Sequence, residues 1–233
     1  MTGTLWGVGL GPGDPELLTL KAHRLITSAT VIAYPAPAGG QSFARAIAAA
    51  FIPATAREIA ISVPMQTARF PAQAVYDRAA ADIAQHLDDG RDVVTLCEGD
   101  PFFYGSFMYL YTRLAARYPC VTVPGVTSMT AAAAAAGRPL CARNEELRIV
   151  PAPLAEDVLQ ARLATPGAVA ILKVGRHLAK VRRVVERLGR AAGAVYLSHA
   201  TLPGERVLPL ADAPETAPYF SLILLPGDDP YGQ

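Results

Sequence analysis

The chain has 233 residues, 52% of them hydrophobic and 18% charged, with a net charge of +1. That is enough to bury one large core or two modest ones, and too apolar for a disordered chain. The balanced charge gives no support to nucleic-acid binding, so an anionic substrate has to be met by local arginines and lysines. Cys97, Cys120 and Cys141 form no CxxC pair, which disfavours a zinc site or disulfide framework. They read as small buried hydrophobes in a reducing compartment. No basic, apolar leader precedes Leu5-Trp6-Gly7, and the alanine run 131–136 is too short to span a bilayer. The expectation is a cytoplasmic protein with no nucleic-acid or membrane partner.

In chain order, Thr4–Leu10 reads as a strand that breaks into Gly9-Leu10-Gly11-Pro12-Gly13-Asp14-Pro15. Asp14 suits a helix N-cap and Pro15 the first helical position, so one helix is expected from there to about Ser28. Strands follow at Val31–Tyr34 and Arg57–Ser62, with a helix over Ser42–Phe51 between them. A long helix over Ala72–Asp88 ends at Gly90. Val93–Cys97 is continuously apolar, as a parallel strand buried on both faces should be. It stops at Glu98-Gly99-Asp100-Pro101-Phe102-Phe103-Tyr104-Gly105, after which Ser106 is expected to cap a helix to about Tyr118. Val121–Val123 is the next strand, and Pro124-Gly125-Val126-Thr127-Ser128 turns into the helix Met129–Ala136. The polar stretch Arg138–Glu146 is taken as the domain junction.

The second half gives strands at Arg148–Val150, Val169–Val174 and Val195–Ser198, with helices at Leu154–Leu163 and His177–Leu188. Glu205–Leu210 and Phe220–Leu225 read as a closing hairpin. The fold class is therefore α/β: an N-terminal domain over residues 1–137 with a mainly parallel sheet, and a C-terminal domain over 138–233 with a mixed one.

The glycines after the first strand do not make a dinucleotide fingerprint, which needs glycines at relative positions 1, 3 and 6 before a bare helix N-terminus. Asp14 and Glu16 would repel a pyrophosphate there. A loop open to a neutral or cationic ligand fits better. Two readings stand for Glu98–Gly105: a turn opened by Asp-Pro beside a core-covering aromatic pair, or an acidic pocket with aromatic walls. The second suits a cation on an apolar body, such as S-adenosylmethionine. Pro124–Ser128 is either a helix cap or a further wall of the same pocket. Lys173, at the end of a buried strand, either snorkels to water or meets a carboxylate. Of the histidines, His199 alone is placed near a pocket. No metal-ligand spacing, serine elbow or P-loop is visible.

Together these motifs resemble the tetrapyrrole methyltransferases. Gly7-Val8-Gly9-Leu10-Gly11-Pro12-Gly13-Asp14-Pro15-Glu16 is similar to that family's opening signature, Gly99–Gly105 to its second motif, and Pro124–Ser128 to its third. The resemblance implies two α/β domains with S-adenosylmethionine in the cleft between them, S-adenosylhomocysteine as product, and a homodimer. It further implies that Pro12, Glu98, Gly99, Asp100, Phe103, Thr127 and Ser128 line the cofactor pocket, with Val174, Ala200 and Thr201 from the second domain.

Within the family, Glu98 through Leu110 and Ile61-Ser62-Val63-Pro64-Met65 are most similar to members that methylate carbon 20 of precorrin-2 in cobalamin synthesis. Uroporphyrinogen-specific members carry glycine where this chain has Glu98 and an aspartate where it has Pro35. By location, Glu98, Tyr104 and Tyr34 are the candidate catalytic groups. Precorrin-2 carries eight carboxylates, for which Arg45, Arg138, Arg143, Lys173 and Arg176 are the candidate ligands. The alternatives are methylation of uroporphyrinogen III, of another precorrin carbon or of cobalt-factor II at carbon 20, modification of a translation factor's histidine, or a non-catalytic tetrapyrrole carrier.

Overall fold

A computed structural model describes residues 1–63 and 69–227, the side chains of residues 69–72 excepted. Pro64 and Met65 of the precorrin-like motif lie outside the described residues. The chain forms two compact units that part between Thr127 and Ser128. The sequence reading placed that boundary at residue 137.

The first unit holds five parallel strands: β1 (Leu5–Gly9), β2 (Val31–Pro37), β3 (Arg57–Val63), β4 (Val93–Cys97) and β5 (Cys120–Val123), in the order β3-β2-β4-β1-β5. Four helices cover it: α1 (Leu20–Thr27), α2 (Phe43–Ala48), α3 (Arg69–Asp88) and α4 (Phe107–Leu114). Alternation along β4 explains its unbroken apolar run. Val93 and Cys97 face Ile83 and Leu87 of α3 and Phe107, Leu110 and Leu114 of α4. Val94 and Leu96 face Leu25 and Ile26 of α1 and Ala44 and Ile47 of α2. All five residues of the strand are buried. The connections leaving adjacent strands β1 and β4 thus turn to opposite faces of the sheet. In open α/β sheets that divergence is where ligands bind, outside the carboxyl ends of the strands.

The second unit begins with α5 (Ser128–Ala135). Its sheet comprises β6 (Leu147–Pro151), β7 (Ala168–Leu172), β8 (Val195–Ser198), β9 (Arg206–Pro209) and β10 (Ser221–Leu225), in the order β6-β7-β10-β8-β9. Helices α6 (Glu156–Ala164) and α7 (Leu178–Arg187) supply Leu159, Leu163, Leu178, Val181 and Val185 to a core shared with Ile171, Tyr196 and Ile223. β6 and β7 are parallel, and the remaining pairs are antiparallel, so the sheet is mixed as expected.

Three local expectations are corrected. The first helix is divided: Asp14 caps only a single 3-10 turn, Pro15–Leu17, by accepting from Glu16 N at 2.8 Å. Leu18 is then extended, and Thr19 starts α1 by accepting from Ala22 N at 3.1 Å. Two start signals five residues apart each nucleate their own turn. Ser106 makes no side-chain cap to α4; its hydroxyl interacts with Tyr76 and Cys97 instead. The closing hairpin is absent, because β10 is inserted between β7 and β8 and does not pair with β9. Ser221-Leu-Ile-Leu-Leu225 is buried at every position and belongs at the sheet's centre. β9 is largely exposed and ends in Pro209, which suits an edge.

Among the described residues no helix is long and apolar enough to cross a membrane, and no group of three histidine, cysteine or acidic residues is placed to hold a metal. Cys97 is buried, and burial pushes its thiol up to about 11. Cys120 is half-buried, whereas Cys141 is exposed, contrary to the expectation of buried cysteines, because it lies in the polar stretch before β6.

Candidate active site

At the carboxyl edge of the first sheet the exits of β1, β4 and β5 meet backbone to backbone. Leu10 N donates to Cys97 O at 2.9 Å. Gly11 and Gly99 then exchange two backbone bonds, Gly11 N to Gly99 O at 3.2 Å and Gly99 N to Gly11 O at 2.8 Å. A Cβ at Gly125 would sit 2.1 Å from Gly99 O and 2.9 Å from Gly9 Cα. Glycine at Gly9 and Gly125 is therefore required for the loops to touch one another, which composition and spacing did not reveal. Gly99 has φ +62°, in the left-handed region that glycine alone enters without strain.

Asp100 locks this meeting point. Its Oδ1 accepts from Phe102 N at 2.9 Å and Phe103 N at 3.1 Å, and its Oδ2 accepts from Gly125 N at 3.1 Å. Both carboxylate oxygens are thus used by backbone amides, one pair within its own turn and one across to the β5 exit. Asp100 thus forms the turn that the first reading expected, and the same side chain ties the exit of β4 to that of β5.

Around this lock stand Pro12, buried beside Gly11, and the aromatics of the Gly-Asp-Pro loop. Phe103 meets Tyr104 edge-on, with ring centroids 5.1 Å apart, while Phe102 contacts Phe107 and Tyr111. Tyr104 is half exposed and has φ +57°, a conformation uncommon for a non-glycine residue and often held at functional sites. Thr127 ends the first unit, and Ser128 opens α5.

Glu98 follows the last residue of β4, with its side chain near the backbone N–H of Ala44. Burial pushes its carboxyl above the ordinary value, and the hydrogen bond from Ala44 only partly opposes this. It is therefore closer to exchanging a proton at neutral pH than a solvated glutamate is.

Tyr34 and Arg45 are drawn together by a residue the sequence did not single out. Arg45 Nε and Nη2 donate to Glu58 Oε2 and Oε1 at 2.6 and 2.9 Å, a bidentate pair between α2 and β3. This holds the Glu58 carboxyl below its ordinary range. The Tyr34 phenol is raised, first by burial and then by its bond to Glu58. It keeps its proton at neutral pH, and the Arg45 guanidinium is already matched to a carboxylate. Alternation along β3 was the only available signal for Glu58.

In the second unit, the carboxyl ends of β7 and β8 flank the amino end of β10. Val174 N donates to Ser221 O at 3.4 Å, and His199 N to Phe220 O at 2.9 Å. Lys173, His199 and Thr201 all have left-handed φ, of 58°, 55° and 64°. Thr201 N donates to Glu205 Oε2 at 2.7 Å, which holds that turn. Val174 and Ala200 are buried and Lys173 is exposed; Tyr219 and Phe220, just before β10, form an exposed aromatic pair with centroids 5.1 Å apart. The sequence reading took Phe220 only as a strand start. Arg176 is exposed and donates to His177 Nε2 at 3.4 Å. Arg143 is exposed with φ +49°, and Arg138 donates to Gly193 O. The structure thus gathers Lys173, Val174, Ala200 and Thr201 at one sheet edge and holds Arg138 on a backbone carbonyl elsewhere in the unit.

A doubly wound parallel sheet with a glycine-proline loop after β1, a locked Gly-Asp-Pro loop after β4, and a separate mixed-sheet unit define the class. The profile of the tetrapyrrole (corrin/porphyrin) methylases matches residues 4–214, and the chain belongs to that family. It is 42% identical over 234 residues to the precorrin-2 C(20)-methyltransferase of Sinorhizobium sp, covering 97% of this chain and 96% of that one. It is 45% identical to the cobalamin biosynthesis protein CobIJ of Mycobacterium tuberculosis H37Rv over 97% of this chain, which spans about half (46%) of that longer relative. Among solved structures, the uroporphyrin-III C-methyl transferase of Thermus thermophilus, complexed with S-adenyl homocysteine, superposes with a TM-score of 0.69 at 26% identity. That superposition covers 96% of this chain and 92% of the other.

Proposed function

We propose that this chain is an S-adenosylmethionine-dependent C-methyltransferase that methylates carbon 20 of precorrin-2 in cobalamin biosynthesis. One observation carries the substrate: the end-to-end match, at 42% identity, to a precorrin-2 C(20)-methyltransferase. The edge described above fits the cofactor chemically. It offers a half-buried carboxylate, exposed aromatic rings and tightly packed glycine backbone to a cationic, partly apolar molecule. S-adenosylmethionine supplies a methyl group already activated on a sulfonium, so the protein's work is alignment and exclusion of water.

In the first unit, Pro12, Gly99, Phe103 and Thr127 are the residues to hold it, and Ser128 joins them from the start of the second; Asp100 fixes the loop that carries Gly99 and Phe103. Glu98 accepts the proton that carbon 20 releases as its methyl bond forms; the raised carboxyl supports that role and the proton-retaining Tyr34 phenol does not. Tyr104 lines the approach. In the second unit, Val174, Ala200 and Thr201 contribute to cofactor binding, and Lys173, Arg143 and Arg176 meet substrate carboxylates. Arg45 and Arg138 are engaged elsewhere and are left out. The same reading takes the protein to be a cytoplasmic homodimer.

The test is incubation with precorrin-2 and methyl-13C cofactor, followed by carbon NMR of the product. The label is expected on carbon 20. Label on any other carbon, or none, refutes the assignment. Light scattering of the purified chain reads the oligomeric state.

A further inference from the structure

The turn carrying Ala200 and Thr201 has a second side. A cavity of about 310 Å3 lies on the β8–β9 face of the second unit, lined by Tyr196, Ser198, His199, Arg206, Thr216 and Pro218 among others. That is the small end of ligand pockets, which run to about 300–1,000 Å3. Its construction follows from the register: Arg206 of β9 stands directly opposite Ser198 of β8, so the guanidinium stem and the hydroxyl share one face with Tyr196. Pro203, Gly204 and Pro214 complete the lining.

The charge inside is one-sided. Arg206 has no ion-pair partner among the described residues, and it lines the pocket together with His199. The carboxylate of the same turn, Glu205, is taken by Thr201 N at 2.7 Å. Arg182, on the neighbouring α7, donates to Ala213 O. Tyr196 is fixed, its hydroxyl bonded to Ser221 Oγ at 3.2 Å, and that hydroxyl in turn bonds Pro218 O at 2.8 Å. A rigid ring and proline walls with one guanidinium and two hydroxyl-bearing side chains fit a small apolar body ending in a carboxylate.

We propose that this pocket binds one carboxylate-bearing pyrrole arm of the substrate, with Arg206 as its ion-pair partner and a determinant of substrate specificity. The identity of the arm's parent rests on the methyltransferase reading; the carboxylate chemistry of the pocket does not. His199 joins the two functions, since it lines the pocket while its N–H anchors the turn to β10.

The experiment compares the wild-type chain with Arg206→Leu, Arg206→Lys and, as a charge control on α6, Arg162→Leu. KM for precorrin-2 is expected to rise at least tenfold in Arg206→Leu and to recover in part in Arg206→Lys. S-adenosylhomocysteine affinity should be unmoved in all. Unchanged KM in Arg206→Leu, or an equal rise in Arg162→Leu, overturns the proposal. Should the wild-type chain turn over no precorrin-2, the methyltransferase reading falls and calorimetry with porphobilinogen decides the pocket. This probe is a single pyrrole with one acetate and one propionate arm. Binding that Arg206→Leu weakens at least tenfold supports the pocket. No binding, or equal binding, overturns it.

Discussion

Replacing Asp100 by alanine separates loop architecture from everything else at the edge, because its two oxygens accept three backbone N–H groups. A hydrogen bond to a charged acceptor contributes roughly 1.5–3 kcal/mol net when sheltered, and less where water can replace it. The bonds to Phe102 and Phe103 belong to an exposed-to-half-buried turn, and the bond to Gly125 is half-buried. Allowing water to take over most of the first two, the loss is about 2–3 kcal/mol. The Gly125 N–H contributes most, since its bond crosses from one loop to another and is part-buried. Trp6 lies on β1 and is the chain's one tryptophan, so its fluorescence in urea reports the stability of the first unit. Calorimetry with S-adenosylhomocysteine reads the site, where a loss of at least tenfold, or about 1.4 kcal/mol, is expected. Asp100→Asn keeps one acceptor oxygen and should fall between the two proteins on both measures. Unchanged affinity together with the full stability loss would refute the claim that the lock presents the cofactor loop. Unchanged stability would refute the lock itself.

Three further outcomes are expected. Gly125→Ala places a methyl 2.1 Å from Gly99 O, so the exits of β4 and β5 must separate; urea titration should show a loss of about 2–4 kcal/mol. Glu98→Gln should lower kcat about a hundredfold or more, leave S-adenosylhomocysteine affinity within a few-fold, and abolish the acid limb of the pH–rate profile. Because the folded Glu98 carboxyl lies above its unfolded value, the native state holds the extra proton and its stability falls as pH rises through that window. The stability of Glu98→Gln relative to wild type should therefore grow from pH 4 to neutrality, and a flat difference in urea would refute the burial argument. The Arg45–Glu58 pair is partly exposed, at 43% and 27%, so Glu58→Gln should cost only about 1 kcal/mol at pH 7. Its folded carboxyl lies below the unfolded value, so that stabilisation is present above the unfolded value and disappears as pH falls through the folded one. A cost that persists at pH 2 would show it has another origin.

Much of the architecture is written locally. β4 and β8 coincide with the expected strands because five-residue and four-residue apolar runs between turn signals admit no other period. The Gly-Asp-Pro loop is readable for the same reason: side chains that cap, turn or break act on neighbours two or three residues away, as Asp100 does on Phe102 and Phe103. Where two such signals compete, as Asp14 and Thr19 do, local reading joins what the chain divides.

What the sequence determined is which residues stand at the ends of strands, since burial pattern and turn chemistry are short-range and leave their mark in composition and period. It placed Glu98, Gly99 and Asp100 after β4, and Lys173 at the end of the strand that becomes β7. Only the tertiary structure decided what those ends meet. That Gly125 packs on Gly99, that Asp100 reaches Gly125, that Glu58 occupies Arg45, and that β10 enters between β7 and β8 are pairings across 13 to 56 residues of chain. No local preference encodes them. They follow from how apolar faces stack into a core, and a one-residue change of register would undo each.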